Sequence, residues 1–187
     1  MPFNQVNRYF KDKGFRPLSF QKTAWERTAN GIHQLIQCPT GSGKTLAATG
    51  AMIERLLTER SPQGLRLLYV TPLRAMTKDL ELALKDPFEA SEVRILARNG
   101  DTSAKDRASL FRKPPHILMT TPESLSVILS SPKSIDLFST LESIVVDEWH
   151  DLLSSKRGVQ MSLCLSRLMR LSERPTITGI SATIKDP

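Results

Sequence analysis

The stretch Cys38-Pro39-Thr40-Gly41-Ser42-Gly43-Lys44-Thr45 lies between a short apolar run, His33–Gln37, and a helical pattern, Lys44–Glu59. It matches the phosphate-binding loop pattern at every defined position except the first, where Cys38 replaces glycine. The spacing has a physical reason. Gly41 and Gly43 let the backbone N–H groups around Thr40 and Ser42 turn inward as an anion nest, and the helix that follows adds its positive end. Lys44 then reaches the β- and γ-phosphates of a nucleotide, and the Thr45 hydroxyl is placed to ligate Mg²⁺. A glycine turn carrying Lys-Thr by accident has no need of a strand before it and a helix after it. Cys38 is small enough for its position, and the expectation for it is a buried thiol beside the loop.

Outward from this loop the chain keeps one rhythm. Apolar runs at Leu65–Thr71, Val93–Ala97, His116–Thr120, Ser143–Asp147 and Thr176–Ser181 join His33–Gln37 as strands. Helical patterns near Leu73–Leu84, Ser103–Phe111, Glu123–Leu129 and Gly158–Leu171 join Lys44–Glu59. Strands alternating with helices predict an α/β domain, a largely parallel sheet with helices on both faces. In such sheets ligands bind beyond the carboxyl ends of the strands, so the polar residues after each run are the candidates. Residues 1–31 read as a helical segment. Phe3, Val6 and Phe10 recur at helical spacing and Gly14 stops that helix. A second helix is expected after an N-cap at Ser19, with Phe20, Ala24 and Trp25 on one face and an end at Gly31.

At 187 residues, with 40% hydrophobic and 24% charged content, the chain fits one ordinary domain, 1–187. No apolar run approaches the roughly 20 residues of a membrane span, and residues 1–10 lack the apolar centre of a secretory signal. Cys38 and Cys164 alone form no disulfide framework, and a cytoplasmic location is expected. Twenty-six Lys and Arg against 19 Asp and Glu give a net charge of +7, which suits a polyanionic partner.

The run Ile144-Val145-Val146-Asp147-Glu148-Trp149-His150 ends a buried strand in two acids. Asp147 is placed to hold Mg²⁺ directly or through water. Glu148 is suited to orient or deprotonate the water that attacks the γ-phosphate. With the upstream loop, the pair defines a nucleoside triphosphatase. Thr71-Pro72-Leu73-Arg74 and Thr121-Pro122-Glu123-Ser124 each put Thr-Pro at a helix start, where free N–H groups can grip a phosphate backbone.

These motifs together resemble superfamily 2 helicases of the DExH-box branch, whose N-terminal domain is RecA-like. Asp147-Glu148-Trp149-His150 is similar to their motif II, and Ser181-Ala182-Thr183 to motif III. The resemblance implies that His150 couples the carboxylates to Ser181, Ala182 and Thr183, which link the ATP site to nucleic acid. Gln21 falls where the family reads adenine. Phe15 is either a stacking partner there or core, and core is the expectation. Trp149 fills the motif's variable position and is expected to pack. Thr71, Pro72 and Arg74 resemble motif Ia, Thr121, Pro122 and Glu123 motif Ib, and Gly100, Asp101 and Thr102 an intervening motif of the same nucleic-acid track.

The continuation Asp151-Leu152-Leu153-Ser154-Ser155-Lys156-Arg157-Gly158 is similar to large-helicase-related (Lhr-type) proteins, nearest their bacterial branch of DNA-ligase-associated DEXH-box helicases. The resemblance spans about residues 14–184. It implies ATP and Mg²⁺ as cofactors and ATP-driven movement on single-stranded DNA, with RNA an alternative strand. It also implies a role in DNA repair beside a DNA ligase and a nuclease. Lys156 and Arg157 are open to DNA, to another lobe or to solvent. No motifs IV to VI follow motif III, so the expectation is an N-terminal piece of a longer protein. Its second RecA-like lobe would supply arginine fingers, and this piece alone would bind Mg-ATP weakly and turn it over very slowly. Two other readings share part of the pattern: a P-loop kinase or nucleotide transferase, and a RecA-like module that binds nucleic acid without catalysis. Glu148 and Ser181-Ala182-Thr183 argue against the first, and intact Lys44, Asp147 and Glu148 against the second.

Overall fold

The computed structural model describes residues 2–72, 75, 77–98, 109–150 and 156–182. They form a six-stranded, wholly parallel sheet in the order β1-β6-β5-β2-β4-β3. The strands are β1 (Gln34–Gln37), β2 (Leu67–Val70), β3 (Ile95–Arg98), β4 (Ile117–Thr120), β5 (Ser143–Val146) and β6 (Thr176–Ser181). The helices are α1 (Asn4–Asp12), α2 (Ser19–Ala29), α3 (Lys44–Thr58), α4 (Lys78–Lys85), α5 (Pro122–Leu129), α6 (Ser134–Phe138) and α7 (Lys156–Leu171), with a 3₁₀ turn at Asp86–Phe88.

The three inner strands with unbroken burial, Leu67–Val70, Ile117–Thr120 and Ser143–Val146, are covered on both faces. Alternate residues therefore enter two separate cores. Leu67, Tyr69, Ile117, Met119 and Val145 join Val6, Phe10, Trp25 and the inner face of α3. Leu68, Val70, Leu118, Ile144 and Val146 pack with α5, α6 and α7.

Two close contacts fix the helices on the first face. Trp25 of α2 lies against Gly50 of α3, where any Cβ would collide with the indole, and its Nε1 donates to Leu46 O at 2.8 Å. The Glu54 carboxylate, buried on α3, accepts from Gln5 N at 2.7 Å and Val6 N at 3.0 Å, satisfying free donors at the start of α1.

Several expectations shift. Ser19 is the first residue of α2 and not its cap: the N-cap is Leu18, whose N–H donates to Gln21 Oε1 at 2.8 Å. Phe15 is not core. It stands 68% exposed past the end of α1, where Phe15 N binds Phe10 O and the turn carries its ring outward. Cys38 is half-buried and not fully buried. Of the helix expected over Leu73–Leu84, Leu73, Arg74 and Met76 lie outside the described residues, and α4 starts at Lys78, with the side chain of Thr77 accepting from Leu80 N as its cap. The strands start later than their apolar runs because His33, Leu65, Val93 and His116 precede the paired registers. The short α6 was not anticipated. Most of the helix expected over Ser103–Phe111 lies outside the described residues.

Candidate active site

Parallel strands put all their carboxyl ends on one edge, and the motif residues gather there. Cys38 to Thr45 follow β1, Asp147 to His150 follow β5, and Ser181 closes β6 between them. The strand of the loop and the strand of the acids are thus one strand apart, leaving a gap that a ligand can bridge.

The loop is held from several sides. Cys38 N donates to Ser181 O at 3.3 Å, tying its start to β6. Gly41 and Gly43 have φ of 76° and 83°, the left-handed region that turns successive N–H groups inward. A Cβ at Gly43 would also lie 2.6 Å from Gln21 Nε2, which donates to Gly43 O at 3.1 Å. Gln21 is buried and spans Leu18 N and Gly43 O with its one amide, so α2 is joined to the loop. Lys44 Nζ donates to the carbonyls of Cys38 and Pro39, both at 2.7 Å. An ammonium has three donors, so one remains for a phosphate oxygen.

The acids are set by the sheet. Asp147 N donates to Val70 O at 2.8 Å, continuing the β5–β2 ladder by one residue. Asp147 Oδ1 accepts from Glu148 N at 2.8 Å, and Oδ2 accepts from the Tyr69 hydroxyl at 2.6 Å. The Thr45 side chain lies beside that same phenol. The loop and the acids therefore meet at Thr45, Tyr69 and Asp147. Burial, then the charge of Asp147, push the Tyr69 phenol well above its usual range, so it stays a donor. Glu148 has φ of 50°, an uncommon conformation for a side-chain-bearing residue, which turns the chain sharply after Asp147. His150 Nδ1 lies 3.1 Å from Ser181 Oγ and 3.6 Å from Glu148 Oε2, a physical connection between the acids and β6. The Trp149 ring packs on Gly179, where a Cβ would sit 3.3 Å away.

The second half of the edge carries Thr71 and Thr121 on adjacent strands, with Thr71 N bound to Thr120 O at 3.0 Å. Both threonines are buried. Thr121 Oγ1 caps α5 by accepting from Ser124 N at 3.2 Å, with Pro122 in the first turn. Since proline has no N–H, Glu123 N is the first-turn donor left without a helical partner. The Glu123 carboxylate pairs with Arg157 Nε at 2.8 Å, at the start of α7. Arg74, Gly100, Asp101, Thr102 and Thr183 lie outside the described residues. A concavity of about 480 Å³ sits at the opposite, amino edge of the sheet. Of its lining charges Arg55 and Arg66 both pair with Glu142, Arg66 also with Glu59 outside the wall, and no motif residue lines it.

Sequence reasoning missed Tyr69. The signal was present: a hydroxyl inside the buried run Leu67-Leu68-Tyr69-Val70 requires a partner. What it lacked was the knowledge that β2 lies beside β5.

Comparison with known proteins agrees with this arrangement. The DEAD/DEAH box helicase family matches residues 18–187. The ATP-dependent helicase Lhr-Core of Methanocaldococcus jannaschii is 40% identical over 96% of the chain and 23% of its own length. The Lhr helicase/probable uracil glycosylase of Mycolicibacterium smegmatis is 37% identical over 91% of the chain and 12% of its own length. The chain thus spans a quarter or less of these relatives. Among solved structures, Mycobacterium smegmatis helicase Lhr bound to ssDNA and AMP-PNP superposes with a TM-score of 0.85 at 35% identity, covering 97% of this chain and 25% of that one. The DUF1998 helicase MrfA bound to DNA and AMPPNP gives 0.84 at 25% identity, covering 100% and 27%. No helix among the described residues is long and apolar enough to cross a membrane. By its parallel RecA-like sheet, its phosphate loop and its Asp-Glu-Trp-His run, the chain belongs to the DEAD/DEAH box helicase family.

Proposed function

We propose that this chain is the ATP-binding lobe of an Lhr-type, ATP-dependent DNA helicase or translocase, binding Mg-ATP beside a track for single-stranded nucleic acid. The observation that carries the reading is the convergence of the P-loop and the paired acids through Tyr69. Thr45 and Asp147 offer oxygen donors of the kind a hard cation takes, so the residues fit Mg²⁺. Bound there, Mg²⁺ would neutralise charge on the β- and γ-phosphates. Lys44 would bind the terminal phosphates with its remaining N–H. Glu148 would orient the attacking water, and Gln21 would read the base from a position already joined to the loop. His150 and Ser181 would carry the state of the acids to β6. The edge at Thr71, Thr121 and the start of α5 would receive the phosphodiester backbone, with Arg74 and Gly100 to Thr102 as further contacts.

The fingers that complete hydrolysis would come from a second RecA-like lobe, since such a group accounts for about 10³–10⁵ in rate in related enzymes. A place in DNA repair beside a ligase and a nuclease rests on the sequence resemblance alone.

The test is a pair of substitutions. Lys44→Ala is expected to abolish AMP-PNP binding by this chain. Glu148→Gln, in the full-length protein, should keep nucleotide binding and lower DNA-stimulated ATP turnover by about 10²–10⁴-fold. Unchanged turnover in Glu148→Gln removes the catalytic assignment.

A further inference from the structure

Tyr69 belongs to none of the motifs, yet its phenol bonds the acid on which the cation site depends. It is fully buried on β2 and in register with Val145 of β5. Side chains two residues apart share a face, so Asp147 emerges on the same side of the sheet as Tyr69, toward α3. The result is a bond of 2.6 Å from the Tyr69 hydroxyl to Asp147 Oδ2, with the Thr45 side chain beside the phenol.

The direction of this bond matters. A phenol has one hydrogen to donate. That hydrogen goes to Asp147 Oδ2. Asp147 is held by two donors, Tyr69 and Glu148 N.

We propose that Tyr69 is a positioning residue for the Mg²⁺ of the ATP site, its hydroxyl setting the Asp147 carboxylate in the orientation that serves the cation. This rests on the nucleotide-binding reading above. A buried tyrosine needs some partner for its hydroxyl, and packing alone would be met by any carbonyl. Here the partner is the acid itself. Groups that orient metal ligands in this way typically change metal affinity about 10–100-fold when removed.

The experiment is calorimetric titration of AMP-PNP into the parent chain and Tyr69→Phe, in EDTA and in excess Mg²⁺. The expected result is that the Mg²⁺-dependent gain in AMP-PNP affinity shrinks by about 10-fold or more, while affinity in EDTA is unchanged. Tyr69→Leu, which also lacks the hydroxyl, is the second variant and should show the same selective loss. An unchanged Mg²⁺ gain overturns the role of Tyr69, as does an equal fall under both conditions, which marks packing only. A larger Mg²⁺ gain also overturns it, since the hydroxyl would then obstruct the site. If the parent chain fails to bind AMP-PNP at all, the nucleotide reading fails and the proposal falls with it. In that case the parent itself is at fault and not the variant.

Discussion

Replacing Gly43 by alanine and replacing Gly41 by alanine make the same demand on the backbone but a different one on the surroundings. The two have φ of 83° and 76°, where an L side chain costs about 1–2 kcal/mol. At Gly41 a Cβ meets nothing within 4 Å, whereas at Gly43 it falls 2.6 Å from Gln21 Nε2. Gln21 must swing aside, giving up its 3.1 Å bond to Gly43 O and disturbing the 2.8 Å bond from Leu18 N. Two neutral bonds at about 0.5–1.5 kcal/mol each make Gly43→Ala more destabilising than Gly41→Ala by about 1–3 kcal/mol. At about 2–4 °C per kcal/mol for a chain of this size, that is roughly 2–12 °C in Tm. Urea unfolding and thermal melts without nucleotide measure it. A Gln21→Ala background supplies the control, because the excess should vanish once the colliding amide is gone. Equal costs for the two alanines, or an excess that persists without Gln21, would refute the argument that Gln21 is seated by the loop.

Two further predictions concern the docking of α1. Glu54→Ala leaves the N–H groups of Gln5 and Val6 without their charged acceptor and should cost about 3 kcal/mol or more, whereas Glu54→Gln keeps an acceptor and should cost less than half as much, both read by urea titration. Asp86 is held below its ordinary 3.8 by hydrogen bonds from Lys13 and then Tyr9. Its contribution to stability is therefore complete above that value and is lost as pH falls through the lowered folded one. Trp25 fluorescence, sensitive to Phe3 and Phe10 of α1, should report the loosening in acid, and Asp86→Asn should remove that pH dependence.

Elements whose cause is local were legible in the sequence. The loop at Cys38 to Thr45 carries its own glycines, so its turn from strand to helix was legible before any neighbour was known. The strand ending at Asp147 was legible for the same reason, as a continuous apolar run stopped by acids. Errors arose where a distant partner decides the outcome. Ser19 has the side chain of a cap, yet Leu18 is the N-cap, with its N–H taken by Gln21 Oε1. The helix expected near Leu73 is capped at Thr77, whose side chain accepts from Leu80 N. Phe15 reads as core by residue type, and only the turn after α1 shows that it faces outward. Tyr69 needed the strand order, which no local pattern contains. The pairing of Glu123 with Arg157 likewise joins two helices that are neighbours only in space.

The indole of Trp25 wedged on Gly50, with its N–H on Leu46 O, has a consequence for how any spanning ligand is measured. It locks the helix bearing Gln21 to the helix that begins with Lys44, so in the proposed site the distance from base end to phosphate end would be fixed like the jaws of a calliper. A ligand of the right length meets both ends already set and loses little freedom in ordering them. One that is too short would reach only one jaw, so length would be selected by a tryptophan that touches neither end.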